Sequence, residues 1–163
     1  MSENPYQVSG WKRALQRVAA TRFGGWFYAN VAPKIDRPLV RLTKGRLSMG
    51  VGHPVGLITM IGAKSGQPRT TPLLCTPDGD NWLVVASNGG STKNPAWLYN
   101  LRVHPEITML IQGREGQYIA HETKGAERAE AWRKVSAFYI GYPKYAERSG
   151  REIPVFVLKP KGE

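Results

Sequence analysis

The sequence predicts an α+β domain that is mainly β, with six antiparallel strands in a small, closed or partly split barrel and helices at the start, in the middle and near the end. Short apolar runs from residue 55 onward are separated by turn residues, and Pro77–Asn81 is a strong hairpin signal. The strands do not alternate with helices, which excludes a doubly wound parallel sheet. A barrel is the usual way for such strands to hide their edges.

The composition of the 163 residues favours one globular domain in a reducing compartment. Hydrophobic residues make up 41% and charged residues 21%, which excludes wholesale disorder. Cys75 is the one cysteine, so neither an intramolecular disulfide nor a cysteine-based zinc cluster is possible. The sequence begins without a secretory signal and has no apolar run long enough to span a bilayer. We therefore expect a cytoplasmic protein, or one that lies peripherally on the inner face of the plasma membrane.

The first 50 residues form a basic segment, which we predict to be helical and either part of or appended to a barrel domain of residues 51–163. Nine basic and two acidic residues give this segment seven of the eleven net positive charges. Three interpretations stay open: a helix that packs on the body, a basic amphipathic helix at an anionic lipid surface, or a nucleic-acid contact. We expect no nucleic-acid partner, because the basic residues are not interleaved with stacking aromatics on a strand.

Hydrophobic spacing and turn residues set the expected elements. In the basic segment we predict a helix from Trp11 to about Thr21 and a second over Trp26–Val31, with interruptions at Gly24-Gly25, Pro33 and Pro38. Beyond it, helices are expected over residues 96–103 and 125–138, with a short one inside 139–148. Strands are expected over residues 55–61, 69–76, 82–87, 107–112, 117–123 and 153–159.

The residue inventory excludes several kinds of catalytic site. His53, His104 and His121 have no metal-ligand spacing, and no HExxH motif occurs, so we expect no metal. No G-x-S-x-G motif and no Walker A motif occur. The glycines of segment 50–56 lack the pattern of a dinucleotide-binding loop, and Pro54 interrupts them.

The first motif with chemical content is G-A-K-S-G-Q-P-R at 62–69. Gly66 permits a positive φ, so that backbone N–H groups can converge on an anion. Lys64 and Arg69 add positive charge, and Arg69 can grip a phosphate through two parallel hydrogen bonds. A plain hairpin turn with two surface cations is the alternative interpretation.

The second motif is A-S-N-G-G-S-T-K-N-P-A-W-L-Y-N at 86–100. A strand ends here in small residues that would let a flat ring lie against the backbone, and a helix follows. Trp97 and Asn100 are three apart and share a face of that helix, although core packing also explains Trp97. Together the two motifs indicate a flat heterocycle with a phosphorylated tail.

K-S-G-Q-P-R at 64–69, A-S-N-G-G-x-x-K-N-P-A-W at 86–97, and Asn100 resemble the deazaflavin (F420)-dependent nitroreductase family of actinobacteria. The resemblance covers roughly residues 55–160 and implies a split β-barrel like that of FMN-binding reductases. It implies an oxidoreductase that uses reduced coenzyme F420 to transfer hydride to a quinone, an activated alkene or a nitroaromatic compound.

The resemblance also assigns roles to residues. The cofactor phosphate and glutamate tail would bind Lys64, Ser65, Gly66, Gln67 and Arg69. The deazaflavin ring would lie against the residues Pro72, Leu74, Ala86, Ser87, Asn88, Ala96, Trp97 and Asn100. Tyr139, Tyr142 and Tyr145 would cap the substrate side. Ala63 and Asn88 stand where some relatives carry cations, and Leu74 where some carry tyrosine.

Hydride transfer to such acceptors requires a proton, for which Ser87, Tyr142 or a bound water are the candidates. The alternative enzyme is an FMN-dependent reductase with the same barrel. The alternative that is not an enzyme is a basic module that binds a membrane or a nucleic acid without catalysis.

Overall fold

The structure, a computed structural model, describes residues 10–19, 21–43 and 52–162. Within these residues the chain forms six α-helices, one 3-10 turn at Asn88–Gly90, and seven strands. The helices are α1 (Gly10–Ala19), α2 (Arg22–Asn30), α3 (Ala32–Leu42), α4 (Ala96–Val103), α5 (Gly125–Phe138) and α6 (Gly141–Ser149). The strands are β1 (Val55–Ile61), β2 (Pro68–Leu74), β3 (Thr76–Asp78), β4 (Asn81–Val85), β5 (Glu106–Ile111), β6 (Arg114–Glu122) and β7 (Val155–Pro160).

The seven strands form one sheet in the order β2-β1-β5-β6-β7-β4-β3, and every pairing in it is antiparallel. Strands β1, β6 and β4 therefore run in one direction, and the other four run in the opposite direction. Ile61, Val85 and Glu122, the last residues of β1, β4 and β6, consequently lie at one end of the sheet. We call this the upper end.

The expected strand over 69–76 is two strands, so the prediction of six strands was wrong by one. Cys75 separates β2, which pairs with β1, from β3, which pairs with β4. The Cys75 N–H still donates to the Pro54 carbonyl oxygen at 2.9 Å, whereas Thr76 already pairs with Leu83. The chain thus crosses from one edge of the sheet to the other at a single residue, and the sheet curls into a barrel.

The β5–β6 hairpin is tighter than expected. Ile111 pairs directly with Arg114, so Gln112 and Gly113 alone form the loop, with φ of 49° and 79°. Positive φ at both loop residues matches the right-handed twist of the strands, which lets β6 begin at Arg114 instead of residue 117.

Alternating side chains divide the core into an interior and an outer layer. Ile58, Val84, Met109, Phe156 and Leu158 are fully buried in one cluster inside the barrel, together with Ala86. The intervening residues of β4 and β7 face outward and are covered by α5 and α6. This outer layer contains Leu83, Val85, Val135, Val155 and Val157 together with three tyrosines.

The N-terminal helices differ from the expectation. Gly24 and Gly25 lie inside α2, where the Thr21 hydroxyl caps the helix by accepting the Gly24 N–H at 3.1 Å. Pro33 lies in the first turn of α3, where its missing N–H costs nothing, but Pro38 lies inside the helix. Helix α3 contacts β1 and β2, and this packing outweighs the intrinsic cost of the interior proline.

A substitution at Gly56 tests the packing at the Cys75 crossing. A Cβ at Gly56 would stand 2.8 Å from the Met109 sulfur and 2.9 Å from the Cys75 sulfur. We expect Gly56→Ala to lower the free energy of unfolding by about 1–3 kcal/mol, because both sulfurs are buried and must shift. Urea denaturation measures the loss. Gly10→Ala is the control, since nothing lies within 4 Å of its Cβ position, and an equal effect of both substitutions would contradict the packing described.

Candidate active site

Both predicted motifs lie at the upper end of the barrel. The turn 62–67 follows β1, and the loop 86–95 follows β4. Because β1 and β4 run in the same direction, the two connections leave the sheet at the same end. The topology therefore brings together segments that are about 25 residues apart in the sequence.

The turn 62–67 is a compact loop that closes the β1–β2 hairpin. The Gly62 N–H donates to the Gln67 carbonyl at 2.9 Å, and the Gly66 N–H donates to the Gly62 carbonyl at 2.8 Å. Gly66 has the positive φ that the sequence predicts, 64°. The Ser65 hydroxyl accepts the Gln67 N–H at 3.3 Å and lies 3.5 Å from the Arg69 guanidinium.

A direct hydrogen bond joins this turn to helix α4. The Ala63 N–H donates to the side-chain oxygen of Asn100 at 2.9 Å. Ala96 begins the helix and is exposed, whereas Trp97 is half-buried and packs edge-to-face on Phe156 with ring centroids 6.0 Å apart. Asn100 therefore fixes the position of the turn relative to the helix in which the second motif ends.

A split in the barrel lies between the two motifs. Strand β2 pairs with β1 alone, and β4 pairs with β3 only over Asn81–Leu83. No ladder joins β2 to the upper half of β4 within the described residues. We call this break in the strand pairing the slot. Its walls are β2 on one side and residues 84–90 on the other.

The wall that follows β4 has an unusual backbone. Asn88, Gly89 and Gly90 have φ of 47°, 62° and 81°, so three consecutive residues are left-handed. Asparagine tolerates this conformation better than most residues, and its side-chain N–H donates to the Lys93 carbonyl at 3.0 Å. A Cβ at Gly90 would stand 3.2 Å from the Tyr145 Cα, so α6 supports the loop from behind.

Arg151 clamps this loop with its whole guanidinium group. It donates to the carbonyls of Ala86 at 2.9 Å, Ser87 at 3.2 Å and Ser91 at 3.1 Å, and to the Asn94 side-chain oxygen at 2.6 Å. Partial burial lowers its pKa from the ordinary arginine value. Sequence reasoning missed this role, although Arg151 belongs to the R-E-I-P segment that enters β7.

The residues predicted to lie along the ring occupy three environments. Ala86 is fully buried in the barrel interior, whereas Ser87 and Asn88 are half-buried in the loop. Pro72 is buried on β2. Leu74 is half-buried at the end of β2 farthest from the turn and packs on the outer layer. The structure thus brings Ala86, Ser87 and Asn88 to the slot and leaves Leu74 at its lower limit.

The three tyrosines predicted on the substrate side are buried behind the loop. The Tyr139 and Tyr145 hydroxyls are 3.1 Å apart, and the Tyr142 ring packs edge-to-face on Tyr139 at 5.0 Å. Burial raises the pKa of Tyr142 and Tyr145 above the ordinary tyrosine value, with smaller contributions at Tyr142 from Cys75 and Tyr145. These hydroxyls are therefore protonated at neutral pH. Their role toward a substrate stays a prediction.

The cations of the turn are exposed and available to a ligand. Among the side chains that the structure describes, Lys64 and Arg69 have no carboxylate within ion-pair distance. The residues that the structure describes also hold no group of three or more acidic, histidine or cysteine side chains suited to a metal. The site therefore presents two exposed cations beside a slot that has small residues on one wall.

Comparison with known proteins identifies related reductases. A family model for F420H(2)-dependent quinone reductases matches residues 34–160. An F420H(2)-dependent quinone reductase of Mycobacterium tuberculosis is 34% identical over 141 residues, which cover 82% of this chain and 95% of the relative.

Two solved structures of related sequence share the fold. An F420-H2-dependent reductase (FDR-A) is 33% identical with a TM-score of 0.59, over 65% of this chain and 94% of that chain. A chain described as a domain-swapped dimer is 29% identical with a TM-score of 0.62, over 76% and 96% of the two chains. The family match begins inside α3, so α1 and α2 lie outside it.

Replacing Arg151 tests whether it holds the loop. We expect Arg151→Gln to speed hydrogen exchange at the amides of Ala86, Gly90 and Ser91 by about tenfold or more, because hydrogen bonds to a charged group are lost. Arg133→Gln, which breaks an exposed ion pair with Glu130 on α5, is the control. Unchanged protection of the loop in Arg151→Gln would show that the clamp does not hold it.

Proposed function

The chain belongs to the F420H(2)-dependent quinone reductase family, and on this premise we propose that it transfers hydride from reduced coenzyme F420 to a quinone. Membership of this family makes the protein an F420-dependent reductase with coenzyme F420 as its cofactor. The observation that carries the proposal is the slot, with small residues on one wall and the exposed cations Lys64 and Arg69 at its rim.

The residues present fit the cofactor at both of its ends. Lys64 and Arg69 would hold the phosphate through their charge, and the Ser65 hydroxyl, which lies 3.5 Å from the Arg69 guanidinium, would donate to it. Ser87, Asn88 and Gly89 would face the ring, because a left-handed backbone with short side chains permits close approach of a flat group. When bound, reduced F420 supplies two electrons and a proton as hydride.

The chain must also orient the acceptor and provide a proton. A quinone that accepts a hydride and one proton becomes a hydroquinone, so a single donor completes the reaction. Ser87 is half-buried at the slot, whereas Tyr142 is buried behind the loop with a raised pKa. These positions favour Ser87, or a water held beside it, as the donor. Activated alkenes and nitroaromatic compounds are further proposed acceptors, because each also takes up a hydride and a proton.

The alternatives predict different ligands. An FMN-dependent enzyme would use the same turn for its phosphate, but the family and the relatives named above use F420H(2). A non-catalytic basic module would not require the clamped loop or the slot. Titration of the protein with F420 and with FMN distinguishes both alternatives from the proposal.

We expect the protein to bind F420 more tightly than FMN, with quenching of tryptophan fluorescence because Trp97 lies on the helix beside the slot. It should also oxidise reduced F420 when menadione is added under anaerobic conditions. Ser87→Leu should weaken F420 binding about tenfold to hundredfold, since the larger side chain fills the slot, whereas Ser87→Ala should retain it.

Thr92→Leu is the matched control, because it places the same side chain on an exposed position of the same loop. Equal F420 affinity of Ser87→Leu and the unmodified protein would contradict the placement of the ring. Tighter binding of FMN than of F420 would contradict the cofactor assignment.

We also propose that the N-terminal helices hold the enzyme at an anionic lipid surface, where a lipid-soluble quinone would be found. None of the described helices has the length and apolarity needed to cross a bilayer. Phe23 and Trp26 of α2 and Leu42 of α3 are nevertheless 72%, 55% and 84% exposed, and the exposed Arg17 and Lys34 lie on α1 and α3. Exposed aromatic and basic residues together are typical of a peripheral helix at a membrane interface.

Vesicles of phosphatidylglycerol and phosphatidylcholine in equal parts provide the test. We expect a Phe23→Ser and Trp26→Ser double variant to partition about tenfold less strongly into them, because two exposed rings no longer enter the interface. A Tyr99→Ser and Val103→Ser double variant removes two exposed side chains from α4 instead and should partition normally. Equal partition of the two double variants would refute the lipid-docking role.

A further inference from the structure

We propose that Arg148 couples helix α2 to the loop 86–95, so that F420 bound at this loop strengthens the docking of α2 on an anionic lipid surface. The inference rests on the proposed function, because it concerns the same cofactor and the same helix. Arg148 lies on α6, and its Nη1 donates to the Gly89 carbonyl at 3.3 Å and to the Thr21 carbonyl at 3.3 Å. One nitrogen atom therefore joins the loop to the residue that caps α2.

The Arg148 side chain is held against the loop along its whole length. It is half-buried, and its guanidinium carbon lies 5.6 Å from the centroid of the Tyr145 ring. A Cβ at Gly90 would stand 3.4 Å from the Arg148 Cδ, so the aliphatic stem packs closely on the loop backbone. A movement of Gly89 or Gly90 consequently displaces the group that donates to Thr21.

The other end of this contact is the point at which α2 begins. The Thr21 hydroxyl accepts the Gly24 N–H at 3.1 Å and donates to the Val18 carbonyl at 2.7 Å, so Thr21 joins α1 to α2. Helix α2 also packs directly on the turn Asn88–Gly90. The order of the loop and the order of the first turn of α2 therefore depend on each other through Arg148 and through this packing.

Helix α2 can contact the loop and a lipid surface at the same time. Gly24 is buried and Phe27 is half-buried, whereas Phe23 and Trp26 are exposed, with ring centroids 6.2 Å apart. Lipid docking through the two exposed rings does not require α2 to leave the loop. Cofactor and lipid thus favour the same arrangement, so the coupling is positive and acts equally in both directions.

Partition into the vesicles described above, measured with and without saturating F420, tests the coupling. We expect F420 to raise the partition of the unmodified protein about fivefold. F420 adds negative charge to a basic protein, so its charge alone would lower partition into anionic vesicles and cannot produce the increase. Without vesicles, F420 should also slow hydrogen exchange at the Gly24 amide, which bonds to the Thr21 hydroxyl.

Arg148→Met keeps much of the aliphatic stem but removes the donors. In this variant the ratio of partition with and without F420 should fall to about one, and F420 should no longer slow exchange at Gly24. Lys144→Met is the matched control, because it removes one positive charge from an exposed position of the same helix, and it should keep both effects. Matching thermal unfolding verifies that both variants are folded.

No increase in the partition of the unmodified protein on addition of F420 would overturn the coupling. An increase in Arg148→Met equal to that of the unmodified protein would overturn the role of Arg148. If Arg148→Met does not fold, the two measurements on the unmodified protein decide the question. Failure of the unmodified protein to bind F420 in the titration would instead overturn the proposed function, and this inference with it.

Discussion

The crossing of the chain at Cys75 is the constraint on which the rest of the structure depends. One residue separates β2 and β3, which lie at the two edges of the same sheet, so the sheet has to curl until its edges meet. Strand β3 closes the sheet by pairing with Asn81–Leu83 in the lower part of β4, and the upper part of β4 has no pairing with β2. The buried thiol reinforces the junction: burial raises the pKa of Cys75 to about 12, so it packs as a neutral group. Closure at one end thus creates the slot at the other.

The slot then requires a wall that keeps its shape without strand pairing. Asn88 adopts a left-handed conformation, which costs conformational free energy in a residue other than glycine, and surrounding structure must offset this cost. Arg151 donates to three carbonyls of this loop, and the Arg148 guanidinium lies 3.3 Å from both the Gly89 and Thr21 carbonyls. Through Arg148, the start of helix α2 is connected to the loop 86–95. The basic segment and this loop therefore share one side-chain hydrogen-bond donor.

Sequence reasoning succeeded where the signal is local. The bounds of β1, α4 and α5 were predicted residue for residue, because turn glycines, a proline and apolar spacing mark them. The break at Cys75 has no local signal, since both flanking runs are extended and apolar. The role of Arg151 depends on partners 57 to 65 positions away, which spacing along one chain cannot reveal. The motifs were found because their chemistry lies in contiguous residues.

The most direct test of the account is an NMR titration of the isotopically labelled protein with oxidised F420, followed at the backbone amides. If the slot between the two motifs holds the cofactor, the largest shifts will lie in 62–69 and 86–91 and at Asn100. Amides at the lower end of the barrel, such as Gly79 and Asp80, will stay in place. Shifts concentrated away from both motifs, or in one motif with the other unaffected, would contradict a shared site.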